Sequence, residues 1–240
     1  MKGKLIVIEG VDGSGKETQS KLLTNLLNSL SFKTELLSFP NYKDDSSYLV
    51  RKYLEGMFIR NDGFNILSYI KQTSSFYTVD RIYTIFNKKN GVKSYFEELT
   101  EGLNIICDRY TTSNILHMSA NLQLNNMARE IYSYVDWIQS IEYGVFKLPK
   151  PDLVIFLDVN IRQVIQNIES RSGENIKDIN DIHEKKEHQY AVNRIKDTLI
   201  HLCGWERIDC MSENDKYKML SREEITEKII KVINSKFNII

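Results

Sequence analysis

Apolar residues, many of them β-branched, gather in short runs at 5–8, 35–39, 104–107, 152–159 and 205–210. Runs of this length without strict polar alternation predict strands buried on both faces. Between them Leu, Ile, Tyr and Phe recur at spacings of three and four. That spacing predicts helices over 18–30, 64–87, 121–146, 181–202 and 221–234, with another beginning near Thr112. Strand alternating with helix implies an α/β fold, a five-stranded parallel sheet with helices on both faces. No repeat, proline-rich linker or low-complexity segment divides the chain, so 1–240 reads as one domain.

Composition narrows the setting. A chain of 240 residues is long enough for one sizeable core. Its 32 basic and 32 acidic side chains cancel, which argues against a broad nucleic-acid or membrane surface, since no strong field would attract either. Cys107, Cys203 and Cys210 form no CxxC pair and no metal-like spacing, and read as thiols in a reducing compartment. The first strand begins within four residues, leaving no room for a signal peptide, and no apolar run approaches membrane-spanning length. The expectation is a cytoplasmic protein.

The first strand leads into Ile8-Glu9-Gly10-Val11-Asp12-Gly13-Ser14-Gly15-Lys16-Glu17-Thr18. A buried strand ending in a glycine-rich turn that opens a helix is the setting of a P-loop. Glycines 10, 13 and 15 let backbone N–H groups turn inward around a phosphate, and Lys16 can reach the terminal phosphates as a point charge. The helix that follows aims its positive dipole end at the same place. The expected ligand is a nucleoside triphosphate, held by Gly10, Gly13, Ser14, Gly15, Lys16, Glu17 and Thr18. Position 17 carries Glu where the strict pattern has Ser or Thr, so the usual hydroxyl contact to magnesium is missing there. One further stretch, 169–184, is polar, lies between two helices and contains one Arg and one Lys. It reads either as an ordinary loop or as a short lid that closes over the triphosphate and excludes water.

Three other segments carry candidate chemistry. The third strand ends in Asp108-Arg109-Tyr110, and ligands of open parallel sheets gather at such carboxyl ends. An Asp there can hold magnesium directly or through water, and an Arg can clamp phosphate through paired hydrogen bonds. The second strand ends in Ser38-Phe39-Pro40-Asn41-Tyr42, a turn with an apolar wall. Tyr77 and Arg81 lie four apart and share a helix face, where a stacking ring beside a guanidinium would make a pyrimidine pocket. An aromatic-rich helix of this kind fits a core or a dimer interface as well. So do the Tyr- and Ile-rich faces over 131–146.

Taken together, Gly10-Val11-Asp12-Gly13-Ser14-Gly15-Lys16, Phe39-Pro40-x-Tyr42, Tyr77-x3-Arg81, Asp108-Arg109-Tyr110 with Ser113, and Pro151-Asp152-Leu153-Val154-x-Phe156-Leu157 resemble, in this order, the motifs of thymidylate kinases. The resemblance implies a P-loop nucleoside monophosphate kinase fold, a homodimer, and transfer of the γ-phosphoryl group of ATP, carried with Mg2+, to dTMP. It implies catalytic roles for Asp12, Lys16, Arg109 and Arg171. In the acceptor site, Phe39 and Pro40 would line the pocket, Tyr42 and Arg109 would hold the acceptor phosphate, and Asp12 would lie near the sugar 3′-hydroxyl. Tyr77 would stack on the base and Arg81 would hydrogen-bond its carbonyl. Ser113 and Asn114 would meet base edge or sugar, and His117 would close the space beside C2′. Metal would be held by Asp108 and Asp12, directly or through water.

The chain departs from that pattern at three places. Asn41 stands where an Arg is common, Glu17 replaces the P-loop hydroxyl, and Ile182 replaces an Arg in the lid, leaving Arg171 as the lid arginine with Lys177 in reserve. Two alternatives stay open at this point. One is a deoxynucleoside kinase, in which the Phe-Pro-x-Tyr phosphate turn would have no purpose. The other is a catalytically weak nucleotide-binding regulator.

Overall fold

The computed structural model describes residues 2–58, 65–88, 91–172 (side chains to 166), 186–215 and 217–238. Its centre is a parallel sheet of β1 (Leu5–Gly10), β2 (Thr34–Ser38), β3 (Asn104–Asp108), β4 (Leu153–Asp158) and β5 (Glu206–Asp209) in the order β2-β3-β1-β4-β5. Every pairing is parallel, with Leu5 opposite Ile105 and Ile6 opposite Leu153. The five apolar runs therefore become the five strands, displaced by no more than two residues at either end. Side chains alternate across the sheet, and both faces are apolar. Leu5, Val7, Ile105 and Cys107 join a smaller cluster with Leu37, Phe39, Ile85, Leu99 and Tyr110. Ile6, Ile8 and Ile106 join a larger one with Leu23, Leu116, Ile155 and Leu199.

The helices are α1 (Lys16–Ser29), α2 (Tyr48–Leu54), α3 (Ile66–Phe86), α4 (Tyr95–Thr100), α5 (Thr111–Leu124), α6 (Ile131–Gln139), α7 (Ile161–Ser172), α8 (Lys186–Cys203) and α9 (Arg222–Phe237). The first opens directly on Gly15 (φ +89°), two residues before the hydrophobic pattern begins. Asn65 caps α3 and a Ser221/Glu224 capping box starts α9, each side chain meeting an otherwise unpaired backbone N–H.

The single helix expected over 121–146 is not formed. After α5 the chain turns at Asn126 (φ +57°), where Met127 N–H donates to Leu122 O at 2.8 Å. A 3-10 turn (Ala128–Glu130), α6 and a π-helical turn (Ser140–Val145) follow. Asn tolerates the left-handed conformation that ends a helix, and the apolar spacing on either side carries no mark of that break. Of the helix expected over 181–202, α8 covers 186 onward, and 181–185 lie outside the described residues. The carboxyl ends of β1, β2 and β3 lie side by side, which brings Gly10, Ser38 and Asp108 to one edge of the sheet.

Candidate active site

Lys16 is 5% exposed, and its Nζ donates to Gly10 O at 2.9 Å and Val11 O at 2.8 Å while lying 3.6 Å from Asp12. Burial and the Arg109 charge push its pKa down from the usual lysine range. Gly10 (φ +154°) admits no side chain: a Cβ there would come within 2.7 Å of Ser14 Oγ and 2.8 Å of Leu157 O. Glu17 is exposed, borders the neighbouring cavity and pairs with Lys21 at 2.5 Å, one helical turn on. Thr18 is half-buried.

At the end of β3, Asp108 is half-buried, and its enclosed Oδ1 has no hydrogen-bond partner. Burial raises its pKa, against the opposing pull of Arg109 and Lys16. Arg109 occupies the left-handed region (φ +65°) and reaches across to pair with Asp12 Oδ1. Burial disfavours both charges. For Asp12, the charges of Arg109 and Lys16 outweigh burial and hold its pKa well below the carboxylate range. For Arg109, Asp12, Glu9 and Asp108 outweigh it and raise the guanidinium's pKa further. An unsatisfied buried carboxylate oxygen of Asp108, on a cavity that Asp12 also lines, is a hard donor that suits Mg2+, an ion that binds through one or two carboxylates and otherwise keeps water and phosphate oxygens.

Beside the P-loop opens a cavity of about 380 Å³. Asp12 reaches it from the P-loop, Phe39, Pro40 and Tyr42 from the turn after β2, and Tyr77 and Arg81 from α3. Arg109 enters from the end of β3, and Ser113, Asn114 and His117 from the first two turns of α5. All ten residues expected on the acceptor side thus line one space. Leu54 and Met118, which the sequence did not single out, add apolar wall.

The supporting contacts come from residues distant in sequence. The Phe39–Pro40 bond is cis, and the turn after it is anchored by buried Asp80, which accepts from Asn41 N–H at 2.9 Å and Ser46 Oγ–H at 2.6 Å. Arg51 ties the same turn by donating to Tyr42 O and Asp44 O, each at 3.2 Å. Arg81, 1% exposed, gives Nε to Glu142 Oε2 at 3.0 Å and Nη2 to Glu142 Oε1. Glu142 also accepts from Thr78 at 2.7 Å and Thr111 at 2.5 Å. The guanidinium is therefore fixed from behind, its Nη1 lies 3.5 Å from Tyr110 O, and the residue lines the cavity. The Tyr77 ring meets Tyr53 edge-on, with centroids 6.1 Å apart at 80°. Ser113 and Thr112 donate to buried Glu9 at 2.8 and 2.7 Å, and Asn114 Nδ2 donates to Ser74 O at 3.1 Å.

Glu9, Asp80, Glu142, His188 and Gln189 are the residues that sequence reasoning missed. The available signal for the first three was a carboxylate inside an otherwise apolar stretch, since a buried charge needs a partner. Arg171 falls in the last turn of α7, but its side chain, like Lys177 and Ile182 and most of the expected lid, lies outside the described residues.

The sequence profile of the family described as thymidylate kinase matches residues 8–214. The thymidylate kinase of Plasmodium falciparum (isolate 3D7) is 29% identical over 239 residues, covering 99% of this chain and 95% of that one. That of Schizosaccharomyces pombe is 34% identical over 161 residues, 67% of this chain and 63% of that one, and the human protein 31% over 160 residues with the same coverage. A solved structure of the Candida albicans thymidylate kinase superposes with a TM-score of 0.68 at 20% identity, over 99% of this chain and 93% of that one, a likeness of fold. With a profile running from the end of β1 to beyond β5 and full-length similarity to a named relative, the chain belongs to the thymidylate kinase family.

Proposed function

We propose that the P-loop and the neighbouring cavity hold the two substrates of one phosphoryl transfer, ATP on Lys16 and the surrounding backbone and dTMP in the cavity. As in its family, the protein transfers the γ-phosphoryl group of ATP to dTMP. An oxygen of the dTMP phosphate attacks the γ-phosphorus, the bond to the β–γ bridging oxygen breaks, and ADP and dTDP leave. Such a transfer asks the protein for alignment and charge more than for covalent chemistry. The observation that carries the reading is the convergence of Asp12, the Phe39–Tyr42 turn, Tyr77, Arg81 and Arg109 on one space beside Lys16.

In this reading Tyr42 and Arg109 hold the acceptor phosphate, Tyr77 stacks on thymine, and Arg81, already oriented by Glu142, donates to a base carbonyl. Asp12 sits near the sugar 3′-hydroxyl, and His117 closes the side of the sugar where a ribose would carry its extra hydroxyl. Asp12 and Asp108 would hold magnesium, carried on ATP, directly or through water. Its chemistry is to neutralise phosphate charge. The segment 169–184 acts as the lid of a single kinase domain, with Arg171 on the transferred group. We place the protein in the cytoplasm as a homodimer. Exposed Val79 and Tyr83 on α3, Tyr132 on α6, and Phe146 support an interface there, and the three cysteines form no disulfide. No helix among the described residues is long and apolar enough to cross a membrane.

An assay of ADP release with dTMP, dUMP, dCMP, dGMP and thymidine tests the assignment. The expected result is fastest turnover with dTMP. Turnover with thymidine but not dTMP would make it a nucleoside kinase, and no turnover with any of them would leave a nucleotide-binding regulator.

A further inference from the structure

Two of the chain's four histidines, from different helices, meet behind Arg109. His117 on α5 and His188 in the first turn of α8 are both buried. Nε2 of His117 lies 3.1 Å from Arg109 Nη1, and Nδ1 of His117 lies 3.0 Å from Nε2 of His188. The rings are within 7° of parallel, with centroids 5.3 Å apart. A ring N–H points in the plane of its ring, so these imidazoles meet edge to edge.

The donor inventory then fixes both protonation states. A guanidinium only donates, so His117 Nε2 must accept and carries no proton. The proton of neutral His117 sits on Nδ1 and points at His188 Nε2, which must also be bare, so His188 carries its own proton on Nδ1. The direction of donation is Arg109 to His117 to His188. Burial supports this by pushing the His188 pKa down to about 4. The next residue, Gln189, donates from Nε2 to Asp12 Oδ2 at 3.0 Å, and Asp12 Oδ1 is the partner of Arg109. The start of α8 thus grips both halves of the Asp12–Arg109 pair, the arginine through two imidazoles and the carboxylate through an amide.

We propose that His188 is a positioning residue for the acceptor site: it holds His117 as the Nδ1–H tautomer, and His117 in turn fixes the Arg109 guanidinium. An arginine paired with Asp12 alone keeps rotational freedom at its other η nitrogen. A second fixed partner removes that freedom before substrate arrives, which favours binding. Both nitrogens of His117 are committed, so its ring is also a fixed wall to whatever fills the cavity. The kinetic part of the test rests on dTMP being the acceptor, and the spectroscopic part does not.

The test is nitrogen NMR of the full chain labelled with 15N-histidine at pH 7, assigned with His117→Asn and His188→Gln variants. Both residues should show Nδ1 protonated and Nε2 bare. His188→Leu, which removes the acceptor, should leave the His117 Nδ1–H without that partner, shift its Nδ1 resonance, and raise the KM for dTMP about fivefold, the scale of one lost neutral hydrogen bond, with KM for ATP unchanged. His188→Gln, whose Oε1 can accept in place of Nε2, should restore most of the affinity. A wild-type His117 protonated on Nε2 would overturn the proposal, as would a Leu variant with unaltered dTMP KM. Should the Leu variant not fold, the wild-type spectrum and the Gln variant decide. A chain that failed to phosphorylate dTMP would overturn the acceptor reading and leave the tautomers to decide this one.

Discussion

Arg109 stands in the left-handed region, where a β-carbon crowds the backbone, and does so while its side chain pairs with Asp12. Replacing it by Gly or by Ala removes the same guanidinium, so the difference between the two variants isolates the backbone. The left-handed conformation costs a residue with a β-carbon about 1–2 kcal/mol, so Arg109→Gly should be the more stable of the two by about 1 kcal/mol, the reverse of the usual order. Urea unfolding of both variants measures it, and equal midpoints or alanine ahead would mean no strain is held there. Arg171 carries a second expectation at this scale. In the role proposed for it on the transferred group, Arg171→Ala should lower kcat on the order of a hundredfold with little change in KM for dTMP. Lys177→Ala should matter much less in the same assay, and a reversed ranking would pass the role to Lys177.

Single elements serve several parts of the site at once. Within two turns, α3 presents Tyr77 and Arg81 to the cavity and Asp80 to the phosphate turn. Asp80→Ala should free that turn and raise KM for dTMP about tenfold while KM for ATP stays put, with Asp80→Asn between the two. Steady-state kinetics with each substrate varied would show it, and an equal rise for both substrates would instead mean general damage. How much of this was legible beforehand follows from where each partner lies. The strands were plain because short apolar runs without helical spacing leave little choice of length, even for β5, which is exposed at three of its four positions. The ten residues that line the cavity could be picked out because each sits in a short local motif. Glu142 and Gln189 were not, because their partners Arg81 and Asp12 stand 61 and 177 residues away, and nothing local marks such a pairing. The break after α5 was hidden for a different reason, since apolar spacing continues through Asn126 while the backbone does not.

For the whole molecule, the buried histidine pair sets an acid limit. The His188 pKa is pushed down to about 4 in the folded chain, while in the unfolded chain it returns to about 6.5. Between those values the unfolded chain takes up a proton that the folded chain refuses. The contribution of this group is therefore whole above pH ~6.5 and is lost as pH falls toward 4, up to about 3 kcal/mol. The groups facing it are His117 from α5 and Asp12 from the P-loop, with Arg109 beyond His117. Asp12, whose pKa is lowered, adds a loss in the same direction at still lower pH, and Asp108, whose pKa is raised, works the other way. Urea midpoints from pH 7 to 4 should fall in the wild type and fall less in His188→Gln, whose amide does not titrate. Parallel profiles for the two would remove His188 from the account.

The two faces of the sheet are unequally filled, and the smaller cluster is the one that carries Phe39 and Tyr110 beneath the acceptor cavity. Regions with less buried apolar contact open at lower free energy and exchange their amide hydrogens sooner. The edge strand β2, with Leu37 in that cluster, should accordingly exchange through a partial opening that leaves β1 and β4 closed. A ligand that binds only the closed form slows such exchange by mass action. Added dTMP should therefore protect amides of β2 and α4 more than those of β4 or α9, which hydrogen–deuterium exchange read by mass spectrometry would resolve. Uniform slowing across the sheet would mean that both faces open as one unit. Otherwise the acceptor half of the protein behaves as a separately melting piece, stabilised by its own substrate.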